Sequence, residues 1–509
     1  MPITLRLKSL ETQWTVGEPV GIGLMIENQS RKTVRVPDPS NPYNWQPVFT
    51  VSGPGYDKPL QFSSGSARLL PEPASQTFQT LKLVGIKPGQ TLEGRIKVPA
   101  NVADLRRPGD YIFTASVQTS VGVVEGDPLT LTVSAPTQPT QASLGFSGLG
   151  AWGEPIGCWI VSGPHGTQVQ RSLFLGKQND DGSTNFVMNG GTLVATVHPD
   201  AREPFTTETD ADLTEASDWT GWRDGASLYA IQGFEQTQDP VLRFSLPGDA
   251  RLVPHALMSA DRSLDVFTLS ADGRTLQMVR FFSPLEQYLD HKPQQEPHLA
   301  WSHPLSAPAL TATAALAPAH AGSVRHLLWT SQQGDALLLG HVLASASGQP
   351  PADAPPVTLP HAFALPGCRP AVRVDASGVT HVAVLYAADA GLRQISLAEV
   401  TYGADGRPSG APVILPQTTL PEAASSAVVS YGRDQYGEEE RISFRRDWLV
   451  LLPDGRVLFS LGGRAAQGPV SLGSALVLPL ELASPATRTF VLTLDPKSGE
   501  GPRLARLWD

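Results

Sequence analysis

Apolar and polar residues alternate with a period of two along nearly the whole chain, the pattern of strands that turn one face to a core. The stretch RRDWLVLLPDGRVLFSL, residues 445–461, shows the unit plainly: a strand from Trp448 to Leu452, the pair Asp454-Gly455, and a return strand from Val457 to Leu461. Asp-Gly accepts the positive φ values that a tight turn between right-twisted strands demands, so the stretch predicts a β-hairpin. Comparable hairpins turn at Asp272-Gly273, Gln333-Gly334 and Ala390-Gly391, which spaces the four at roughly sixty-residue intervals. Weaker versions surround Gly166, Gln236 and Glu500, for seven hairpins in all.

Strands and tight turns repeating at this period predict small antiparallel sheets, each able to bury both faces only against its neighbours. Residues 143–509 resemble an irregular β-propeller of about seven blades, without the Trp-Asp, kelch or Asp-box signatures that mark named propeller families. The chain ends on PRLARLWD, a third strand for the last blade. Residues 142–148, ASLGFSG, are expected to complete that blade, because an open ring would leave two bare sheet edges. The only helical signal is SPLEQYLDH, residues 283–291, read as a turn or two.

Residues 1–135 carry seven short alternating segments, among them ITLRLKSL, PVGIGLMIENQS and GDYIFTASV, which predict a β-sandwich. GEPVGIGLMIENQS and IKPGQTLEGRIKVP followed by RPGDYIFTASV resemble the early and late strands of immunoglobulin-like modules common in bacterial proteins. The resemblance implies that Tyr111 is a corner tyrosine whose hydroxyl bonds nearby backbone; the alternative is an ordinary strand tyrosine. SAPTQPTQA, residues 134–142, lacks apolar periodicity and reads as an extended linker, placing the domain boundary at 136–142.

Composition narrows the class. The 509 residues are 41% hydrophobic and 17% charged, with 47 Gly and 46 Pro, a globular balance rich in turns. A net charge of -10 with no Lys/Arg block argues against nucleic acid and anionic membranes as partners. No apolar run reaches membrane-spanning length, and no secretory apolar region opens the sequence, so the expected location is the cytoplasm, or export without a signal peptide as part of a larger particle. Cys158 and Cys368 sit outside any metal or redox pattern and read as buried, unreactive thiols.

The linear devices of nucleophile elbows, phosphate loops, HExxH zinc sites, CxxC pairs and dinucleotide turns are missing, so no catalytic residue, metal site or cofactor is predicted. Four weaker groupings remain. Asp290, His291, Glu296, His298 and His303 fall within fourteen residues but match no ligand template, and read as a polar connection. In KQNDDGSTN, Asn179, Asp181 and Ser183 alternate as oxygen donors, but the Gly and Glu of a calcium loop are misplaced. Glu438–Glu440 beside Arg433, Arg441, Arg445 and Arg446 reads as a solvated hairpin or an interface rim.

The fourth grouping is TTETDADLTEASDWTGWRDG, residues 206–225, read as part of a polar insertion between Val197 and Gly225. Glu208, Asp210 and Asp212 would steer a partner with a basic surface, and Trp219 and Trp222 would anchor it. The alternative is that both tryptophans pack a blade. The expected function is a non-enzymatic interaction or scaffold subunit whose propeller face binds a protein partner. A glycan-binding or glycan-active propeller enzyme is the rival, since propeller acids converge from separate loops, and an inhibitor acting through a sandwich edge strand is a third reading.

Overall fold

The computed structural model describes residues 3–507 apart from stretches 39–46, 64–82, 99–104, 135–140, 148–153, 179–183, 208–218, 233–240, 317–323, 346–350, 435–442, 484–488 and 495–502 and some shorter ones. The described chain is nearly all β. Its first part is a two-sheet sandwich. One sheet pairs Val20–Asn28 with Ile3–Ser9 and Thr91–Val98, and the other is centred on Gly109–Thr119, flanked by Val48–Ser52 and Leu129–Ser134. Alternate residues of both sheets, such as Ile22, Leu24, Val51, Phe113 and Val133, meet in one core. Tyr111 is fully buried, and its hydroxyl donates to the Arg107 carbonyl at 2.7 Å, pinning the entry to its strand.

From Gln141 onward, seven antiparallel sheets follow one another among the described residues, each made from a contiguous piece of chain. Blade 2 is typical: Ala201–Thr206, Trp219–Asp224, Ser227–Gln232 and Leu242–Ser245 pair in chain order. Second strands are buried on both faces, as in Leu264–Ser270 of blade 3, because each sheet is covered by a neighbour on either side. Fourth strands face outward, as Ala352–Leu359 of blade 4 does with two prolines that a central strand would exclude.

The sheets form a closed ring. Separate apolar clusters join blades 1 and 2, 2 and 3, 3 and 4, 4 and 5, 5 and 6, and 6 and 7. A seventh packs Ala142, Leu144, Trp159 and Val161 of blade 1 on Val477 and Leu492 of blade 7. This corrects the expected mode of closure. Residues 141–147 pair with Glu154–Gly163 inside blade 1 and add no strand to the last blade, whose Arg503–Leu507 pairs only with Thr489–Leu494 among the described residues. Apolar side chains, with the blade 1 strand Thr184–Met188 running beside Arg503–Leu507, make the seam that strand exchange was expected to make.

Two further details differ from expectation. The second-to-third-strand hairpin of blade 2 turns at Asp224-Gly225, with Gly225 at φ 54°, while the stretch around Gln236 connects its third and fourth strands. The first strand of blade 1 begins at Gln141, inside the stretch read as linker. Within 283–291, where a turn or two was expected, the Gln287 N–H bonds the Ser283 carbonyl at 3.1 Å among the described residues.

Buried polar groups also meet across the seams between blades. Asp265 of blade 3, fully buried, accepts from Arg280 at 2.8 Å and from Arg325 of blade 4 at 2.7 Å. Between blades 4 and 5, His326 Nδ1 lies 3.1 Å from His341 Nε2 and 2.8 Å from the Thr380 hydroxyl, and Tyr402 meets the His341 ring edge-on. Burial holds His326 down at about 4; burial, reinforced by the neighbouring His326 charge, holds His341 at about 3.

Candidate functional site

In every blade the first strand begins beside the hairpin joining strands two and three, as the pairs Ala201↔Asp224, Ala250↔Ser270 and Ser426↔Leu451 show. One mouth of the ring is therefore bordered by those hairpins and by the starts of the first strands. A pocket of about 230 Å³ lies there. Its polar wall is Gln141, Glu203, Arg251, Thr311 and Arg369, drawn from blades 1 to 5, and Phe205, Leu252, Val253, Leu269 and Leu310 supply much of its apolar wall.

Glu203 organises the pocket. It sits at an irregularity in the first strand of blade 2 and holds φ at 52°, a left-handed conformation that costs a residue with a side chain on the order of 1 kcal/mol or more. Hydrogen bonds fix it there. Its N–H donates to Gln141 Oε1 of blade 1, and its carboxylate accepts from Arg223 Nε at 2.6 Å, Arg223 Nη2 at 3.1 Å and the Leu252 N–H of blade 3 at 3.0 Å. Three blades are thus tied through one residue, blade 1 by its backbone N–H and blade 3 by its carboxylate, and its charge is satisfied by a buried arginine.

Arg251 and Arg369 supply the remaining formal charge of the wall. Arg251 Nη2 donates to the Ala309 carbonyl at 2.7 Å, while its buried Nε has no acceptor among the described residues. Two guanidiniums and one carboxylate thus stand in the described wall of the pocket. Around it, the hairpins present Asp224, Asp272, Asp335, Asp389 and Asp454, with Arg274 and Arg456 two residues beyond two of them. Asp272 Oδ1 accepts from the Arg274 N–H, and Asp454 Oδ1 from the Arg456 N–H, both at 3.0 Å. These bonds hold both carboxyls below the usual carboxylate range, led by the Ser270 hydroxyl at Asp272 and the Arg456 N–H at Asp454.

The residues chosen from sequence fall elsewhere. Trp219 and Trp222 are 0% and 3% exposed, so neither indole can anchor a partner from the surface. Trp219 packs between blades 2 and 3 and donates to the Arg262 carbonyl at 2.9 Å; Trp222 stacks on Tyr229 and packs toward blade 1. The supposed insertion between Val197 and Gly225 contains the first two strands of blade 2. Glu208, Asp210 and Asp212 lie outside the described residues, as do Asp290, His291, Asn179, Asp181, Ser183 and Glu438–Glu440.

Of the remaining histidine grouping, His298 stacks on Phe282, and His303 pairs with Asp353 at 3.0 Å. Elsewhere, His198, Asp200 and Asp224 bring ligand-type atoms within 4.8 Å of one another at the edge of blade 2, and His198 and Asp200 are open to solvent. His198 Nδ1 already faces the Asp200 N–H at 3.4 Å, which competes for the lone pair a cation would need. Both cysteines are free and buried, and burial pushes the Cys368 thiol up to about 12 despite the adjacent Arg369 charge.

Fold and site together define an all-β protein: a sandwich followed by a seven-bladed propeller with a small pocket at one mouth of the ring. No family model matches the chain, and neither does any curated protein. Among solved structures, the chain is similar to a lectin of Aleuria aurantia in complex with α-methyl-L-fucoside, at 8% identity over 74% of this chain and 97% of that one, with a TM-score of 0.33. A second structure of that lectin, described as a six-bladed propeller, gives 7% identity over 72% and 91% with a TM-score of 0.31. A β-glucosidase from Listeria innocua matches 26% of this chain at 12% identity, TM-score 0.16, and the chain spans 16% of that protein. At these scores the likenesses carry no argument about function.

Proposed function

We propose that the protein is a non-enzymatic binding protein whose propeller face, at the pocket mouth, receives a protein partner, with the N-terminal unit acting as an immunoglobulin-like docking or spacing module. The observation that carries this reading is the state of Glu203, the only carboxylate in the pocket wall among the described residues. Glycoside hydrolysis needs two carboxyls in unlike environments, and Glu203 is committed to Arg223 and the Leu252 N–H. The surrounding hairpins offer scattered charges of both signs over a broad rim, which suits recognition of a protein surface. The pocket provides a place for one buried anchor at the centre of such a contact.

Photo-crosslinking groups placed at Asp335 and Asp454 on this face, and at the exposed Asp405 at the opposite end of blade 5, test the reading in the native host. A stoichiometric partner captured from Asp335 and Asp454 but not from Asp405 is the expected result. Equal capture from all three positions, or retention on a glycan array with no protein captured, would overturn it.

A further inference from the structure

We propose that the pocket at the ring mouth takes one uncharged apolar side chain, of leucine to phenylalanine size, from a partner segment with lysine or arginine on either side of it. This rests on the reading of that face as a binding face and names what the face grips. The lining decides the apolar part. Phe205, Leu252, Val253, Leu269 and Leu310 converge on the space from blades 2 to 4. The charges beside them are engaged by the protein itself: Glu203 by Arg223 and the Leu252 N–H, Arg251 by the Ala309 carbonyl, and Arg369 by a partner of its own. The Arg251 Nε is also closed off from water. An ion entering here would give up its hydration among charges already engaged, whereas an apolar side chain gains by burying its surface. A volume of about 230 Å³ holds a single such side chain. Leu310, 42% exposed, is an apolar part of the wall that stays open to solvent.

The charges around the mouth decide the flanks. Asp200, Asp224, Asp249, Asp272, Asp335 and Asp389 stand there on blades 2 to 5, against the exposed Arg202, Arg274 and Arg393. Arg393 is itself drawn to the Pro421 carbonyl, and no lysine lies at this mouth among the described residues of those blades. The result is an acidic collar around an apolar socket. Its complement is an apolar anchor flanked by basic residues, with the anchor supplying affinity and the flanks supplying steering.

Fluorescence anisotropy on the full chain reads this with four labelled heptapeptides capped at both ends. One has a central leucine between lysines and glycines; the others replace that leucine by glycine, that leucine by aspartate, or the lysines by glutamates. The leucine peptide should bind about tenfold or more tightly than each of the other three. Raising salt from about 20 to about 300 mM should weaken it several-fold. Leu310→Asp should remove the preference for leucine over glycine, and Asp200→Asn/Asp249→Asn should weaken the leucine peptide about threefold or more at low salt. Circular dichroism should be unchanged in both variants, since all three side chains are exposed. Equal binding of the leucine and glycine peptides, equal binding of the lysine and glutamate peptides, tighter binding of the aspartate form, or no binding of the leucine peptide at millimolar concentration would overturn the proposal. Undiminished crosslinking of the partner by the Leu310→Asp protein would sink the apolar socket and leave the binding face standing. Preference for leucine over glycine without any crosslinked partner would do the opposite.

Discussion

Acidification should loosen the propeller at the seam between blades 4 and 5 before most carboxylates titrate. His326 and His341 are 3% and 1% exposed, and burial lowers them to about 4 and about 3. In the unfolded chain both return to about 6.5. The unfolded state therefore binds more protons than the folded state between these limits, and stability falls as pH drops below 6.5. At pH 5 each histidine is mostly protonated when unfolded and mostly neutral when folded, a loss of about 2 kcal/mol for each and about 4 kcal/mol for both. The slope there approaches ~2.7 kcal/mol per pH unit, two protons' worth.

The assay is urea unfolding from pH 8 to pH 5, followed by tryptophan fluorescence, since eight of the ten tryptophans lie beyond residue 150. His341→Phe keeps a ring against Tyr402 and leaves His326 its contact with the Thr380 hydroxyl. Its stability at pH 8 should fall by about 1 kcal/mol for the lost bond, but its slope below pH 6.5 should drop to one proton. If wild type and His341→Phe lose stability in parallel across the whole range, the buried imidazoles are not the source and the reasoning is refuted.

Three other outcomes follow from the geometry. Glu203→Ala leaves Arg223, 4% exposed, without its bidentate partner, and should cost about 3 to 5 kcal/mol in chemical unfolding, whereas a surface ion pair would cost under about 1. Trp219→Ala and Trp222→Ala should each lower stability by about 3 to 5 kcal/mol, and a melting curve unchanged in either variant would contradict their place in the core. Maleimide should label Cys158 and Cys368 only after denaturant is added, because both are buried and burial keeps the Cys368 thiol protonated; labelling within minutes under native conditions would count against this.

The sequence made the fold legible because each hairpin announces itself locally, through a turn residue that tolerates positive φ between two alternating runs, as at Gly273 and Gly455. The cue is masked where composition competes with it: the Asp224-Gly225 turn follows an acidic run that has the composition of an insertion. Trp219 and Trp222 illustrate a different limit. Neighbouring positions on a strand that is covered on both faces are both core, so alternation gives no sign of which side is solvent. The pocket could not be found as a motif, since its polar wall takes a single residue from each of five blades. Its trace in the sequence is faint: Gln141, Glu203, Arg251, Thr311 and Arg369 recur at roughly the blade period, each near the start of a first strand.

Closure of the ring by side chains, with no exchanged strand among the described residues, gives the chain a modular grammar. Each blade is one uninterrupted segment, so a segment could be excised, duplicated or moved to the other end of the gene without leaving a foreign strand stranded in a distant sheet. A circular permutant of residues 141–509, its ends joined by a linker and the chain opened between Leu359 and Phe363, would keep every described ladder of the propeller intact. Blade number in such a protein is then a variable that recombination can change one segment at a time, with the diameter of the mouth changing in step.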